Sequence, residues 1–333
     1  MSDANLIEIF CILDEFCKYF TPELKKHTLD TCGKRRRNRP CLMSDSEVMT
    51  ILVLFHTMRH RDLKSFYLGY VCNHMRKEFP HRLSYNRFVE RQAKVGLRLL
   101  LFLQTCALGK CTGISIIDST PLKSCNIKRA HNHRTMKGWA AKGKCTMGWF
   151  YGFKLHIVIN DRGEIIQWML TPGNVDDREP LKDKDFTQRL FGKIFADRGY
   201  ISQELFESLF IDDIHLVTKL KKNMKNSLMD LHDKILLRKR ALIETVNDEL
   251  KNVCYIEHTR HRSIDGFASN LIAGLIAYNL LPKKPSLNID IIDKSRLIAY
   301  MGRITKRFFN GDGQNGESCL FIGSYKRRSE RGK

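Results

Sequence analysis

The chain has 333 residues, which is enough for two domains, and its hydrophobic content of 43% excludes wholesale disorder. Its formal net charge is +21, with Lys and Arg spread along the whole length, so we expect a polyanionic partner, with nucleic acid favoured. No apolar run is long enough to span a bilayer, and the beginning of the chain, with Asp3 and Glu8, lacks the basic region of a signal peptide. We therefore expect no membrane partner.

The cysteines indicate a reducing compartment. Eleven of them are scattered along the chain, and none forms a Cys-x-x-Cys pair. Such a pattern favours free thiols in the cytoplasm over disulfides or a zinc site. We therefore expect a cytoplasmic protein.

Helical periodicity dominates the first part of the chain. Apolar residues recur at helical spacing over 1–20, with Pro22 as an interruption, and a capping box of Ser44 and Glu47 predicts a helix that runs to about residue 60. Further helices are predicted over about 63–79, which Pro80 ends, and over 84–107. The basic loop 34–39 can contact phosphates or be a solvated charge run. Basic residues near residue 84 are compatible with a DNA-reading domain, although many small helical bundles share this pattern.

The pattern becomes β-like at Gly113, where a short apolar run leads to Asp118. A second apolar run, 193–196, leads to Asp197 and a Gly-containing turn. Each carboxylate alone can be a simple turn cap. The order strand, hairpin, helix, strand, helix, strand, helix predicts a mixed sheet with helices on its faces. If the two acid-bearing strands are parallel neighbours, both carboxylates emerge at one edge, where ligands of open α/β sheets bind.

A basic segment follows the first strand. Residues 123–144 hold seven Lys or Arg and no acid, and they include His131 and His133. The spacing of these two histidines can suit a metal, but histidines in a loop beside DNA are the more common explanation.

A third acid lies in a helix predicted over 234–251. Its apolar side contains Ile235, while Leu237, Arg240 and Glu244 repeat at three and four on the other side. Arg240 and Glu244 can be an ordinary i, i+4 pair. From the residues alone, Asp248 and Glu249 compete with Glu244 as the third acid, because Asp248 lies one turn on and on nearly the same face.

Several ordered motifs resemble those of DDE transposases of bacterial insertion sequences, in particular the insertion-sequence 982 family. They are IIDSTPL at 116–122, YGFKLH at 151–156, TPGNVDD at 171–177, FADRGY at 195–200, and KRALIE at 239–244 with Lys251. The resemblance covers roughly residues 5–285. It implies an RNase H-like catalytic core and places Asp118, Asp197 and Glu244 at the positions of the family's catalytic and metal-binding triad. Arg240, Glu244 and Lys251 fit a Tyr-x2-Arg-x3-Glu-x6-Lys signature of related families, in which this chain has Leu237 at the Tyr position.

Three carboxylates without imidazole or thiolate make a hard oxygen site that suits Mg²⁺ or Mn²⁺. Two such ions about 4 Å apart can activate water, orient a scissile phosphate and stabilise the leaving oxygen. The expected chemistry is water attack that frees a 3′-OH at a transposon end, followed by attack of that 3′-OH on target DNA. The expected partners are therefore the terminal inverted repeats and target DNA, with a homodimer when two ends are synapsed.

Basic residues around the triad are candidates for contacts with DNA. Arg240 and Lys251 can grip phosphates or simply pair on the helix surface, and Lys154 and His156, which point the same way on their strand, can face DNA or the cleft. The remaining candidates lie at the exit of a predicted strand or in the basic segment: Lys219, Lys221, Lys222, Lys123 and Arg129.

These interpretations divide the chain into three parts: a helical DNA-binding region at 1–110, an RNase H-like catalytic domain at 111–285, and a basic extension at 286–333. The extension is expected to be a disordered tail or an out-of-family addition. Two alternatives to a bacterial, nucleoid-associated transposase stay open. One is an inactive DNA-binding derivative, repressor-like or decayed, and the other is an RNase H-like nuclease or junction resolvase without strand transfer.

Overall fold

The computed structural model describes residues 3–27, 41–219, 229–257 and 261–287, and the structural statements below concern these ranges. Lys221, Lys222, the basic loop 34–39 and the C-terminal span from residue 288 lie outside the described residues. Predictions for them therefore stay predictions.

The N-terminal region is helical, as the periodicity predicts. Helix α1 spans Asp3–His27 and continues through Pro22, which therefore does not end it. Helix α2 spans Asp45–Thr57 and begins with the predicted capping box: Ser44 Oγ accepts from the backbone N–H of Glu47, and Glu47 accepts from the N–H of Ser44. Almost every residue of α2 is buried, which places this helix at the centre of the N-terminal helices.

The remaining N-terminal helices are shorter or irregular. A helical segment comprises α3 (Leu63–Ser65), a π-helical stretch (Phe66–Val71) and α4 (Cys72–His74), so the helix predicted to Phe79 ends earlier. Helix α5 spans Tyr85–Phe102, and a further π-helical stretch, Leu103–Ala107, continues it. The predicted helix over 84–107 is thus present, with Ser84 as its N-cap residue.

A six-stranded mixed sheet follows. Its strands are β1 (Ile114–Cys125), β2 (Ala141–Cys145), β3 (Gly148–Asn160), β4 (Ile165–Pro172), β5 (Gly192–Ala196) and β6 (Ile214–Thr218). The order is β2–β3–β1–β5–β6, and β4 pairs with the second half of β3. Strands β1, β5 and β6 are parallel to one another, whereas β3 is antiparallel to β1.

Two glycines begin the parallel pair of β1 and β5. Gly113 and Gly192 both have positive φ (87° and 78°), a conformation that other residues rarely adopt. A Cβ atom at Gly192 would lie 2.5 Å from the carbonyl oxygen of Gly113, so the close approach also requires glycine. The backbone N–H of Lys193 donates to Gly113 at 2.9 Å and starts the pairing.

One face of the sheet is covered by the crossover helices. These are α6 (Glu179–Lys182), α7 (Lys184–Thr187) and α8 (Gln203–Ile211), with a short 3₁₀ helix at Arg198–Tyr200. Two four-residue helices, α6 and α7, therefore replace the single helix that the predicted order places between the hairpin and the next strand. The apolar core on this face includes Ile117 of β1 and Ala196 of β5. Because strand side chains alternate, Asp118 points to the opposite face.

Helices α9 (Leu231–Lys239), α10 (Leu242–Asp248) and α11 (Ile264–Asn279) follow the sheet, and a π-helical stretch, Glu249–Val253, continues α10. The helix is interrupted between α9, which ends at Lys239, and α10, which begins at Leu242. The prediction of a single helix over 234–251 is therefore wrong. Ile235, expected on the apolar side, is 46% exposed, while Leu237 is buried.

Helix α11 joins the sheet region to the N-terminal helices. It packs against α2 and α5, and Tyr278 near its end donates a hydrogen bond to Gly163 of the β3–β4 turn. The described residues from 3 to 287 accordingly belong to one compact unit. Among the described helices, none has the length and apolar character needed to cross a bilayer.

Candidate active site

Asp118 and Asp197 lie side by side on neighbouring parallel strands. The register pairs Ile114, Ser115 and Ile116 of β1 with Lys193, Ile194 and Phe195 of β5. If this register is continued by two residues, Asp118 lies beside Asp197, and neighbouring strands are about 4.8 Å apart. The predicted parallel neighbours are therefore present. Strand β1 runs on to Cys125, however, so Asp118 lies within the strand and only Asp197 follows a strand end.

Glu244 of α10 lies near this pair and shares with it a contact to Arg240, the residue that caps the end of α9. The Nη2 atom of Arg240 lies 3.4 Å from Glu244 Oε1 and 3.7 Å from Asp197 Oδ1, so one guanidinium group faces both carboxylates. One turn after Glu244, Asn247 donates from Nδ2 to Oδ2 of Asp118 at 3.1 Å. Helix α10 is thereby tied to β1 at the acid itself, and all three predicted acids lie in one neighbourhood.

The three acids differ in their exposure. The side chains of Asp197 and Glu244 are 54% and 62% exposed, whereas Asp118 is partly buried. Burial raises the pKa of Asp118 to about 6, the positive charge of Arg240 opposes this shift, and the charges of Asp197 and Glu244 add to it. A cation between these carboxylates would favour the ionised form of Asp118.

The donor set suits a hard divalent cation, because it offers carboxylate oxygens and no thiolate or imidazole. Within the described ranges, no three His, Cys, Asp or Glu side chains converge closely enough to hold a metal ion. The Arg240 guanidinium instead supplies the positive charge beside Asp197 and Glu244. Since both carboxylates are more than half exposed, rotation of their side chains can turn them towards a cation shared with Asp118.

Two of the predicted DNA-binding lysines make internal contacts. Lys251 donates from Nζ to the carbonyl oxygen of Pro121 at 2.7 Å and lies 3.7 Å from Glu257, and burial lowers its pKa. Lys154 donates to Asp177 at 2.9 Å and to the carbonyl of Val175 at 2.8 Å. Each lysine therefore holds a segment against the sheet next to the acids.

His156, another predicted DNA contact, is fully buried. Its Nε2 atom lies 2.8 Å from Thr171 Oγ1 on the neighbouring strand β4, and burial lowers the pKa of the ring to about 4. A neutral ring in the sheet interior presents no surface to DNA in this arrangement. The structure places its role in the pairing of β3 with β4.

The exposed candidates are Lys123, Arg129 and Lys219. Lys123 lies near the end of β1, and its backbone N–H donates to Glu257. Arg129 lies in a 3₁₀ helix, Ile127–Asn132, within the basic segment, which also forms β2 and is therefore more ordered than the predicted loop. Among the residues described, no cluster joins His131 and His133 into a metal site.

Three residues near the acids were not predicted as site residues. Asn247 bonds Asp118, Asp177 accepts from Ser119 Oγ at 2.7 Å, and Tyr200 is buried near Asp118 and Asp177. Burial, followed by the charges of Asp118 and Asp177, raises the pKa of Tyr200 well above its usual value. Asp177 and Tyr200 do lie in the quoted motifs TPGNVDD and FADRGY, so the sequence offered a signal for these two. Nothing comparable marked Asn247.

Residues 108–264 match the family model described as "Transposase DDE domain". This range contains β1 to β6 and all three acids. A search of curated proteins found no similar sequence.

Solved structures that are similar to this chain include transposase complexes. The piggyBac transposase synaptic complex with hairpin DNA is 12% identical with a TM-score of 0.45, covering 92% of this chain and 82% of that chain. The Mos1 strand transfer complex is 13% identical with a TM-score of 0.22, covering 79% of this chain and 83% of that chain. The Mos1 paired-end complex with the left transposon end is 14% identical with a TM-score of 0.20, and the match covers 61% of this chain and 66% of that chain.

The mixed sheet, its flanking helices and the helical N-terminal region agree with the fold class that the sequence predicts. Residues 108–264, a little less than half of the chain, are similar to the DDE domain of transposases. Membership of the insertion-sequence 982 family stays a prediction.

Proposed function

We propose that this protein binds the terminal inverted repeats of an insertion sequence and catalyses metal-dependent cleavage and strand transfer with Asp118, Asp197 and Glu244. The observation that carries the proposal is the approach of these three acids. Two lie side by side on parallel strands, and the third lies on a helix that Asn247 ties to the first acid. This approach supports the assignment of the triad that the sequence motifs indicate.

Two divalent ions, Mg²⁺ or Mn²⁺, would be held by these carboxylates and would supply activation of the attacking oxygen and stabilisation of the leaving oxygen. Asp118 is the fixed member, because its backbone lies inside a strand and its carboxylate is bonded to Asn247. Asp197 and Glu244 are the adjustable members, because both are exposed and Arg240 holds them at its guanidinium. Arg240 is thus positioned to transfer its contact to a DNA phosphate when the acids turn towards cations.

The chemistry consists of two phosphodiester steps. In the first, the oxygen of a water molecule bonds to phosphorus at the element end, and the 3′ oxygen leaves as a 3′-OH. In the second, the oxygen of that 3′-OH bonds to phosphorus in target DNA, and the target's own 3′ oxygen leaves. Both steps place an attacking and a leaving oxygen on opposite sides of one phosphorus, so one acid site can serve both.

DNA would reach the acids over the basic surface around them. Lys123, Arg129 and Lys219 are exposed and available for phosphate contacts, and Lys221 and Lys222 continue that proposal outside the described residues. Lys251, Lys154 and His156 would support the site from within, through the contacts given above. A homodimer would hold two element ends together at synapsis.

The test is a strand-transfer assay. Labelled duplexes carrying the inverted repeats that flank the reading frame are incubated with protein, plasmid and Mg²⁺, and the products are separated on a denaturing gel. We expect joined products with the wild type and neither cleavage nor joining with Asp118→Asn. The amide that this substitution introduces retains an oxygen that can accept from Asn247, so the variant should fold and bind the same duplexes.

The outcomes separate the proposal from its alternatives. Cleavage without joining would identify a nuclease, and binding without cleavage by the wild type would identify an inactive derivative. Cleavage by Asp118→Asn would show that the acid site is wrongly assigned. The DDE domain match favours the transposase over both alternatives.

A further inference from the structure

The hairpin of β2 and β3 exposes large apolar side chains at its end. The strands meet in a tight turn at Thr146–Met147, next to Gly148 with φ 110°. Met147 in the turn is 87% exposed, and Trp149 at the start of β3 is 64% exposed. Tryptophan normally buries a large apolar area, so an exposed indole at a turn indicates a contact surface rather than a core position.

Lysines surround the exposed indole. Lys144 of β2 lies directly opposite Trp149, and Lys142 lies opposite Tyr151 two residues along β3. Side chains that are opposite each other in a pair of antiparallel strands share a face, so the indole and both ammonium groups project on the same side. The whole stretch 123–144 carries seven basic residues and no acid. A partner of this face must therefore combine negative charge with flat apolar surfaces.

DNA has that combination, because phosphates and base faces alternate along each strand. A wedge of apolar side chains between bases, flanked by Lys or Arg, is a common mode of contact with distorted or unpaired DNA. An anionic membrane surface also accepts Trp and Lys, but the hairpin belongs to the same sheet as the acids and falls within the DDE domain match. The positive charge of this face and its location in the sheet that carries the acids therefore favour DNA as the partner.

The distance along β3 fits a single DNA duplex. Trp149 precedes Ile157, the partner of Asp118, by eight residues. At about 3.3 Å per residue, the hairpin end lies about 26 Å from the acids. Stacked bases rise about 3.4 Å each along a strand, so this span corresponds to about eight base pairs. A duplex cut at the acids would thus meet the hairpin within one helical turn.

We propose that the β2–β3 hairpin is a base-stacking wedge, in which Trp149 and Met147 lie against bases of the bound DNA while Lys142 and Lys144 contact its phosphates. The proposal rests on the proposed function for the position of the DNA. Insertion between paired bases requires unstacking, so the wedge prefers DNA with unpaired nucleotides about eight base pairs from the cut.

The test uses the fluorescence of Trp149 alone. The full chain has three tryptophans, so Trp139→Phe combined with Trp168→Phe leaves Trp149 as the single reporter. This protein is titrated with a duplex of the element end, either fully paired or with unpaired nucleotides about eight base pairs from the cut. We expect quenching of Trp149 by both duplexes and tighter binding to the unpaired one.

Substitutions in the otherwise native chain test the energetics. Trp149→Ala should weaken binding to the unpaired duplex about tenfold, and Trp149→Phe should recover most of that loss, since a phenyl ring still stacks. Lys144→Ala should weaken binding to both duplexes and lower the slope of log affinity against log salt by about one. Ile211→Ala is the matched control, because Ile211 is 81% exposed on α8, and it should change neither affinity.

Two outcomes overturn the wedge. One is equal affinity of Trp149→Ala and wild type for the unpaired duplex, and the other is quenching of Trp149 by phosphatidylserine vesicles but not by DNA. Neither bears on the cleavage assay with Asp118→Asn, so failure of the wedge leaves the proposed function standing. Weaker binding of Trp149→Ala to the unpaired duplex, in a protein that cannot cleave, would conversely support the wedge while the proposed chemistry fails.

Discussion

Asn247 donates a hydrogen bond of 3.1 Å to Asp118, and this bond joins the helix that carries Glu244 to the strand at the centre of the sheet. The amide is 8% exposed, and its own oxygen is buried without a partner among the described atoms. This amide bonds one carboxylate oxygen of Asp118, and the backbone N–H of Ser119 also bonds the carboxylate. Asn247 is therefore a positioning residue for the most buried of the three acids.

Replacement of Asn247 by Ala should lower the cleavage rate more than the affinity for DNA. The variant frees the Asp118 carboxylate to rotate, which we expect to reduce kcat by about 10- to 100-fold, while KM for DNA changes little. Cleavage kinetics on a labelled element end give both values. Asn252→Ala is the control, because exposed Asn252 bonds only Asp248 one turn further on. An equal decrease of kcat in both variants would show that Asn247 has only a general structural role.

The choice of the third acid can be tested in the same assay. Glu244 shares Arg240 with Asp197 and affects the pKa of Asp118, whereas Asp248 bonds Asn252 on the exposed side of the helix. Glu244→Gln should abolish cleavage, a loss of about 10³-fold or more, and Asp248→Asn should retain it within a few fold. Activity in Glu244→Gln together with its loss in Asp248→Asn would reverse the assignment.

Neighbouring strands were the part of this fold most open to prediction from sequence. Two short apolar runs that are joined by a helical crossover can form parallel strands of one sheet in only a few topologies. Each of these runs also leads to an acid. The pairing of β1 with β5 follows this expectation. Register adds what the sequence could not give, namely that Asp118 and Asp197 lie at the same level.

The length of β1 could not be read from its residues. Ser119, Thr120 and Pro121 after the acid are typical of a turn, yet the strand continues to Cys125. Pairing with β5 ends at Ile116, so beyond that residue β1 pairs with β3 alone and has an open edge. Proline lacks an N–H and is tolerated at such an edge. Tertiary pairing therefore decided where the strand ends.

The break between α9 and α10 was equally hidden. No Pro or Gly marks residues 240–241, and helical spacing continues through them. The interruption lies beside the site: Leu237 just before it is buried, and Arg240 within it lies near the carboxylates of Asp197 and Glu244. Contacts such as Asn247 with Asp118 join residues far apart in the chain, and a single sequence carries no trace of them.

Arg240 should compete with divalent cations for Asp197 and Glu244. In Arg240→Gln at about pH 8, both carboxylates lose the positive charge of the guanidinium. Because both acids are exposed, the free energy of unfolding in the absence of metal should fall by less than about 1 kcal/mol. The midpoint of Mg²⁺-induced thermal stabilisation should then move to lower concentration by several fold. Thermal melts across a Mg²⁺ titration give both quantities.

The matched control for Arg240 is Arg178→Gln. Arg178 also pairs with an exposed carboxylate, that of Asp176, but Asp176 is not one of the three acids of the site. We expect its Mg²⁺ midpoint to equal that of the wild type. An unchanged midpoint in Arg240→Gln would show that the guanidinium does not stand where a cation binds.

His156 should make folding sensitive to acid. Burial lowers the pKa of His156 to about 4 from an ordinary value near 6.5. Between about pH 4 and about pH 6.5, the imidazole is therefore protonated in the unfolded chain and neutral in the folded chain. The free energy of unfolding therefore decreases as pH falls from about 6.5 to about 4. In His156→Gln, whose amide can still bond Thr171, the decrease should be smaller by about 2 kcal/mol.

Urea unfolding of wild type and His156→Gln across this pH range measures the difference directly. The buried rings of His56 and His261, whose pKa values burial also lowers to about 4, are present in both proteins, so their contribution cancels. His215→Gln, at an exposed position on β6, is the control and should follow the wild type. Parallel curves for wild type and His156→Gln would mean that the ring is protonated equally in the folded and unfolded chains, contrary to its burial in the sheet.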